Sequence, residues 1–339
     1  MRIARVLPSR PLLQDIARKA DIVRWDTHNH AVPSDMLDVL ADGLPVEIDG
    51  DTITKDRVRF ALTAEFTDPE AKLEGLAKLG IEAAIVSLVP ALFFYDVDAT
   101  RGADFARRVN AGLASFCAFD PSRLRWMAHV PMQSPELATE VLRDAHAAGA
   151  VAVQIGTTVA GTPLDGAEYD GFWAEAARLG TPVMLHPAFN APHPGLEQWY
   201  LQNSIGNLLE TTVAAERLIC SGHLARFPDL RLVLVHGGGF LPWQIGRLAH
   251  TQQVRAEMAE VVGSPATWLS NVVCDTITHD PQVLSMLVER MGPERLVLGT
   301  DIPFDMATPD PVGGLDAAVP SDQARQIMED TPTRVFGLG

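Results

Sequence analysis

Short runs rich in Val, Ile and Leu recur along the chain, at 22–28 (IVRWDTH), 82–89, 125–130, 150–156, 181–187, 230–236, 271–276 and 295–301. Each is too short for a helix of ordinary length, and most are nearly continuous in apolar residues, as strands buried on both faces are. Between them lie stretches with apolar residues at helical spacing: DPEAKLEGLAKLG from Asp68, SPELATEVLRDAHAAG from Ser134 and DPQVLSMLVERMG from Asp280. In the last two, Ser or Asp precedes Pro at the start and Gly follows the end, the usual asymmetry of helix termini. Repeated strand and helix units predict parallel strands covered by helices, closed into a (β/α)8 TIM barrel of the α/β class. An open doubly wound sheet is the competing arrangement, but HNHAVPSD follows the first strand where a glycine-rich phosphate turn would stand. The segment 32–67 is long for a strand-to-helix connection. Within it PVEIDGDTITKD predicts a hairpin turning at Asp49-Gly50-Asp51, so this insertion is expected to form a lid or wall over the barrel mouth.

Composition narrows the class. The 339 residues are 47% hydrophobic and 21% charged, ordinary globular usage, and one barrel domain over 22–339 after a leader segment 1–21 accounts for the length. A net charge of −16, from 43 acidic against 27 basic residues, disfavours nucleic acid or an anionic membrane as partner, since either needs clustered Lys and Arg. Cys117, Cys220 and Cys274 are far apart and form no CxxC, which predicts neither a disulfide framework nor a thiolate metal site and suits a cytoplasmic protein. The basic first residues lack the apolar core of a secretory signal, and no uninterrupted apolar run reaches the roughly 18 residues of a membrane span.

The candidate chemistry lies where the predicted strands end, the face on which barrels of this kind carry function. His28 and His30 close the first strand as an HxH pair. Because side chains alternate with period two, both imidazoles project to one side, as a shared ion requires. His186 closes the fifth strand, His236 the sixth and Asp301 the eighth. A lone histidine at a strand end is more often a satisfied polar residue than a ligand. On that ground His129 is read as structural, and His223, His250 and His279 as surface or supporting residues. The joint pattern predicts one divalent metal ion held by His28, His30, His186 and Asp301, with zinc expected first for an imidazole-rich set and manganese as the alternative. His236 precedes Gly237, Gly238 and Gly239, which permit a tight turn and leave its imidazole open to a substrate. It could serve as a further ligand or as a general acid or base, and the catalytic role, beside Asp301, is preferred.

These residues resemble a known family. DTHNH at 26–30, LHP at 185–187, HGGGFLPWQIGR at 236–247 and LGTDIPF at 298–304 are similar to motifs of the amidohydrolase-related superfamily, in the branch containing 2-amino-3-carboxymuconate-6-semialdehyde decarboxylase and related aromatic-acid decarboxylases. VPMQSPELA at 130–138 and VQIGTTV at 153–159 look like the same branch, so the likeness runs from Asp26 onward. It implies a single zinc or manganese ion with a water on His28, His30, His186 and Asp301, with proton transfer assisted by His236. It also implies a homodimer in which Arg247 of one copy binds the carboxylate of a small substrate in the other. One departure stands out. Where the branch has a second carboxylate-binding arginine, this chain has Thr63 in TAEFTDP, leaving Arg57 or Arg59 to take the part. The expected reaction is non-oxidative decarboxylation of an unsaturated or aromatic acid. Hydrolysis or hydration, such as lactone or amide ring opening, is the alternative enzyme reading, and a non-catalytic scaffold barrel is a third. A strand-four end reading VAVQIG lacks the lysine of two-metal, carbamylated-lysine hydrolases.

Overall fold

The computed structural model describes residues 23–188 and 193–338, so the expected leader 1–21 lies outside the described residues. Strands are numbered along the chain: β1 (Trp25–Ala31), β2 (Glu47–Asp49), β3 (Thr52–Lys55), β4 (Val58–Ala61), β5 (Ala83–Leu88), β6 (Leu124–His129) and β7 (Ala152–Gly156). They continue with β8 (Thr158–Val159), β9 (Thr162–Pro163), β10 (Val183–His186), β11 (Leu232–Leu234), β12 (Val272–Asp275) and β13 (Leu296–Val297). The main sheet has eight strands in the order β1-β5-β6-β7-β10-β11-β12-β13, with every neighbouring pair parallel. Past β13 the chain bonds back to β1. The Thr27 N–H donates to the Leu298 carbonyl at 2.9 Å, and the Asp301 N–H to the His28 carbonyl at 2.8 Å. These bonds close the ring into the (β/α)8 barrel that the strand pattern predicts.

Burial follows the period of two. Ala83 and Ile85 of β5, Met184 of β10, Val233 of β11, Val273 of β12 and Val297 of β13 belong to one apolar cluster, which Val335, Phe336 and Leu338 near the C-terminus plug. Their strand neighbours Ala84 and Val86, Val183 and Leu185, and Leu232 and Leu234 join a larger cluster shared with the surrounding helices. Two residues beyond Met184 and Val273, on the same face, stand His186 and Asp275. The inner face thus changes from apolar to polar toward the C-terminal ends of the strands.

The helices start as their sequences predict. Asp68, Ser134 and Asp280 each accept backbone N–H bonds at the N-cap, with Pro in the first turn, for the helices Pro69–Lys78, Pro135–Ala147 and Pro281–Met291. The insertion holds the expected hairpin, β2 against β3, and a third antiparallel strand, β4, that the sequence reading did not anticipate. Three strand ends also differ from expectation. β1 continues to Ala31, so the two histidines sit inside it beside a register shift between Asp26 and Asn29; His236 lies beyond the end of β11; and Asp301 lies beyond β13. The cause is local. His236 (φ 55°) and Asp301 (φ 65°) are both left-handed, a conformation no strand residue adopts.

Candidate metal centre

His28 and His30 from β1, His186 from β10 and Asp301 from the turn after β13 converge, each offering one ligand atom, with those atoms all within 4.8 Å of one another. The imidazole centroids of His28 and His186 lie 5.0 Å apart, those of His30 and His186 5.2 Å, and those of His28 and His30 5.3 Å. The Nδ1 of each ring faces outward to an anchor. For His28 this is Asp275 Oδ2 at 2.7 Å, for His30 the Ser87 hydroxyl at 3.2 Å, and for His186 the Pro187 carbonyl at 2.8 Å. The Nε2 atoms are left for the centre. His30 Nε2 is 3.1 Å from Asp301 Oδ1 and His28 Nε2 3.6 Å from the same oxygen, while Nε2 of His28 and of His186 are buried with no hydrogen-bond partner among the described residues. Buried polar nitrogens facing one another without a donor or acceptor are costly unless a cation accepts their lone pairs. Three imidazoles and a carboxylate suit a divalent transition ion.

Electrostatics point the same way. Burial lowers the His186 imidazole far below its ordinary value, and the neighbouring His28 and His30 add to the shift. Burial likewise brings His30 down to about 4, against the pull of Asp301. Burial opposes ionisation of Asp301, but the facing His236 and His30 outweigh it and hold the carboxyl well below the usual range. Neutral rings beside a carboxylate are the protonation states a metal needs. His28 is the exception: burial lowers it, yet Asp275 and Asp301 together raise it.

His236 occupies the turn His236–Gly238, with Nε2 3.8 Å from Asp301 Oδ2 and Nδ1 buried without a partner among the described residues. His186, His236 and Asp301 line a cavity of about 680 Å³. Arg57, Arg59 and Thr63 of the insertion line it as well, together with Phe304 and Tyr200. A cavity lined by metal-suited groups, by aromatic side chains and by two arginines, with Glu197 and Asp305 also on its lining, can take a flat molecule that carries a carboxylate.

A family-level comparison decides the kinship: residues 25–338 match the amidohydrolase family. The chain belongs to the amidohydrolase family. Among curated relatives, γ-resorcylate decarboxylase of Rhodococcus jostii is 32% identical over 264 residues, 70% of this chain and 77% of that one. The 2-amino-3-carboxymuconate-6-semialdehyde decarboxylase of Dictyostelium discoideum is 29% identical, over 80% of this chain and 74% of the relative. These matches place this amidohydrolase in the branch its motifs indicated. Of solved structures, 5-carboxyvanillate decarboxylase from Sphingomonas paucimobilis shares the fold with TM-score 0.81 at 20% identity, covering 94% of this chain and 100% of its own. Dihydroxybenzoic acid decarboxylase from Polaromonas sp. JS666, solved with manganese and 2-nitroresorcinol, shares it with TM-score 0.76 at 23% identity, over 93% and 97%.

Other expected positions of this amidohydrolase divide. Arg247 is exposed on the helix Leu241–Val254 and does not line the 680 Å³ cavity of its own chain. His279 lines a smaller adjoining recess of about 230 Å³ with His236 and Asp301. His250 is exposed, and His223 is buried beside Asp170 at 3.1 Å, away from the centre. His129 is enclosed by aromatic rings. Gln154 stands buried near the end of β7, where a carbamylated lysine would be needed. Cys117, Cys220 and Cys274 are all unbridged. Among the described residues, no helix is long and apolar enough to cross a membrane. Sequence reasoning missed Asp275, the carboxylate behind His28, although its signal was available: it is the next-to-last residue of the predicted strand 271–276, close to the position Asp301 holds at the end of the predicted strand 295–301.

Proposed function

We propose that this protein is a metal-dependent, non-oxidative decarboxylase of an aromatic or unsaturated carboxylic acid. The observation that carries the reading is the buried quartet His28, His30, His186 and Asp301, of which His186 and Asp301 line a cavity that Arg57 and Arg59 line as well. The named activities of the curated relatives support the reaction type. The quartet holds one divalent ion, zinc by its imidazole-rich donors; the manganese in the Polaromonas structure supports the alternative. A bound divalent ion supplies Lewis-acid polarisation of a substrate oxygen.

The chain's own groups do the rest. Arg59 or Arg57 orients the substrate carboxylate through a charge-assisted contact. His236, open to the cavity beside Asp301, delivers a proton to the carbon bearing that carboxylate, which becomes tetrahedral. The bond to the carboxylate then breaks, carbon dioxide leaves, and its electron pair restores conjugation. Walls such as Phe304 and Tyr200 stack on a flat ring and keep water from competing for the proton.

Two further assignments belong to the same proposal. The protein is a homodimer in which Arg247, exposed and outside its own cavity, completes the clamp of a second copy; Trp243, exposed on the same helix, gives that face apolar area to bury. The barrel spans 22–339 as one domain after the leader, in the cytoplasm, where three unbridged cysteines stay reduced. The test is to incubate zinc- or manganese-loaded protein with hydroxylated benzoic acids and an unsaturated dicarboxylic acid while measuring carbon dioxide. Release of carbon dioxide with loss of the carboxylate supports decarboxylation. Addition of water to a lactone or amide panel without carbon dioxide from any acid makes the enzyme a hydrolase instead.

A further inference from the structure

Asp275 is wholly buried at the end of β12 and accepts from four directions. Its Oδ2 meets His28 Nδ1 at 2.7 Å and the His236 backbone N–H at 2.9 Å; its Oδ1 takes the N–H of Gly237 at 2.7 Å and of Ile277 at 3.1 Å. We propose that Asp275 is a positioning residue that sets the tautomer of His28 and the stance of His236 through a single carboxylate. The inference rests on reading His28 as a metal ligand.

The first half follows from donor and acceptor chemistry. A carboxylate only accepts, so at 2.7 Å the His28 Nδ1 must carry the hydrogen, and in the neutral ring the lone pair then lies on Nε2. That Nε2 lies 3.6 Å from Asp301 Oδ1, at the centre, and has no hydrogen-bond partner among the described residues. The second half follows from backbone conformation. His236 and Gly237 both have positive φ, 55° and 66°, and their successive N–H groups both donate to the Asp275 carboxylate, while those of Gly238 and Gly239 bond back to the Val235 and His236 carbonyls and close the turn. A β-carbon-bearing residue such as His236 is held left-handed only where surrounding bonds over-determine it, and two of those bonds end on Asp275. The glycine of LGTD belongs to the same device: a Cβ added at Gly299 would lie 3.0 Å from Cβ of both His28 and Asp275, so its absence lets the two side chains meet.

Asp275→Asn tests this because it keeps the shape while placing an N–H₂ donor on the carboxylate. With the amide oxygen toward Gly237 and Ile277, the amide nitrogen faces His28 and drives its hydrogen to Nε2, the ligand atom. Zinc alone is titrated into apo protein against a chromophoric chelator, with circular dichroism confirming the fold. The wild type is expected to bind one ion, and Asp275→Asn to bind it roughly 10- to 100-fold more weakly. In a His28→Asn background the same change should cost less than about threefold more, because the ring it acts through is gone. At saturating zinc, kcat of Asp275→Asn should stay below wild type with KM unchanged, reporting the loosened His236. If Asp275→Asn does not fold, ¹⁵N spectra of the wild-type apo protein decide: His28 must appear as the Nδ1–H tautomer. A folded Asp275→Asn with wild-type affinity, or His28 as the Nε2–H tautomer, overturns the inference. A wild type that takes up neither zinc nor manganese overturns the metal reading itself.

Discussion

Two groups of buried histidines in this barrel have opposite surroundings. His28, His30 and His186 face one another and a carboxylate, with every Nδ1 anchored. His129, at the end of β6, is also buried, but it is stacked against Phe93 at 5.3 Å and Tyr95 at 6.1 Å, with Phe105 edge-on at 5.7 Å. Burial pushes it down to about 3, against the pull of the Phe93 backbone. Residue type is the same in both groups, and His186 and His129 each end a strand. The difference lies in the neighbours: carboxylates in one group, aromatic rings from the segment after β5 and the helix Ala99–Cys117 in the other. A strand-end histidine becomes a ligand when acceptors fix its outer nitrogen and other ligands share its inner one. Without them it is a flat, neutral filler.

The largest effect should come from the quartet. Chelation of the metal, or His186→Ala, should reduce carbon dioxide release by at least about 10⁴-fold, since charge stabilisation and positioned proton transfer are lost together. Metal content by elemental analysis should fall in parallel; a metal-free His186→Ala with ordinary turnover would falsify the quartet's role. His236→Ala should keep the metal and lose on the order of 10²- to 10³-fold in kcat, the usual worth of a positioned acid or base. If that variant turns over normally, the proton comes from elsewhere. Arg59→Ala should raise KM roughly tenfold with kcat preserved, the signature of a lost charge-assisted contact in ground and transition state alike. An unchanged KM would pass the clamp to Arg57.

The smallest effects on turnover belong to the contrasting site. His129→Phe should leave metal content and kcat within about twofold of wild type and raise the unfolding free energy by roughly 1–3 kcal/mol, because a buried polar ring among aromatic neighbours is replaced by an apolar one. Loss of metal in that variant would erase the distinction between the two groups. The pH dependence sharpens the same point. Between the ordinary value of 6.5 and about 3, the unfolded chain holds a proton on His129 that the folded chain does not. Its contribution is complete above 6.5 and is lost as pH falls through that window, with a slope of up to about 1.4 kcal/mol per pH unit. Urea unfolding of His129→Phe at pH 4 to 7 should be flatter by that amount, and an identical slope would mean that His129 is not held neutral.

Much of this was legible along the chain. Apolar period and cap residues predicted the barrel, the helix starts at Asp68, Ser134 and Asp280, and the hairpin at Gly50, because each depends on neighbours a few residues away. The HxH pair announced a shared face for the same reason. What the chain could not announce was how the last turn of each strand bends. The left-handed backbones of His236 and Asp301 lie outside the predicted strand pattern, and β4 is apparent only once it pairs with β3.

By itself, then, the sequence determined which residue types lie inward on which strand, and so the existence of a histidine and aspartate set at one rim. Only the closed ring decided their company. It brought Asp275 behind His28, Arg57 and Arg59 to the lining of the same cavity as His186 and Asp301, and aromatic rings around His129. The physical reason is range: periodicity is a local property of a chain, whereas the partner of a buried polar atom is set by the fold, as Asp275 is for His28 across 247 residues of sequence.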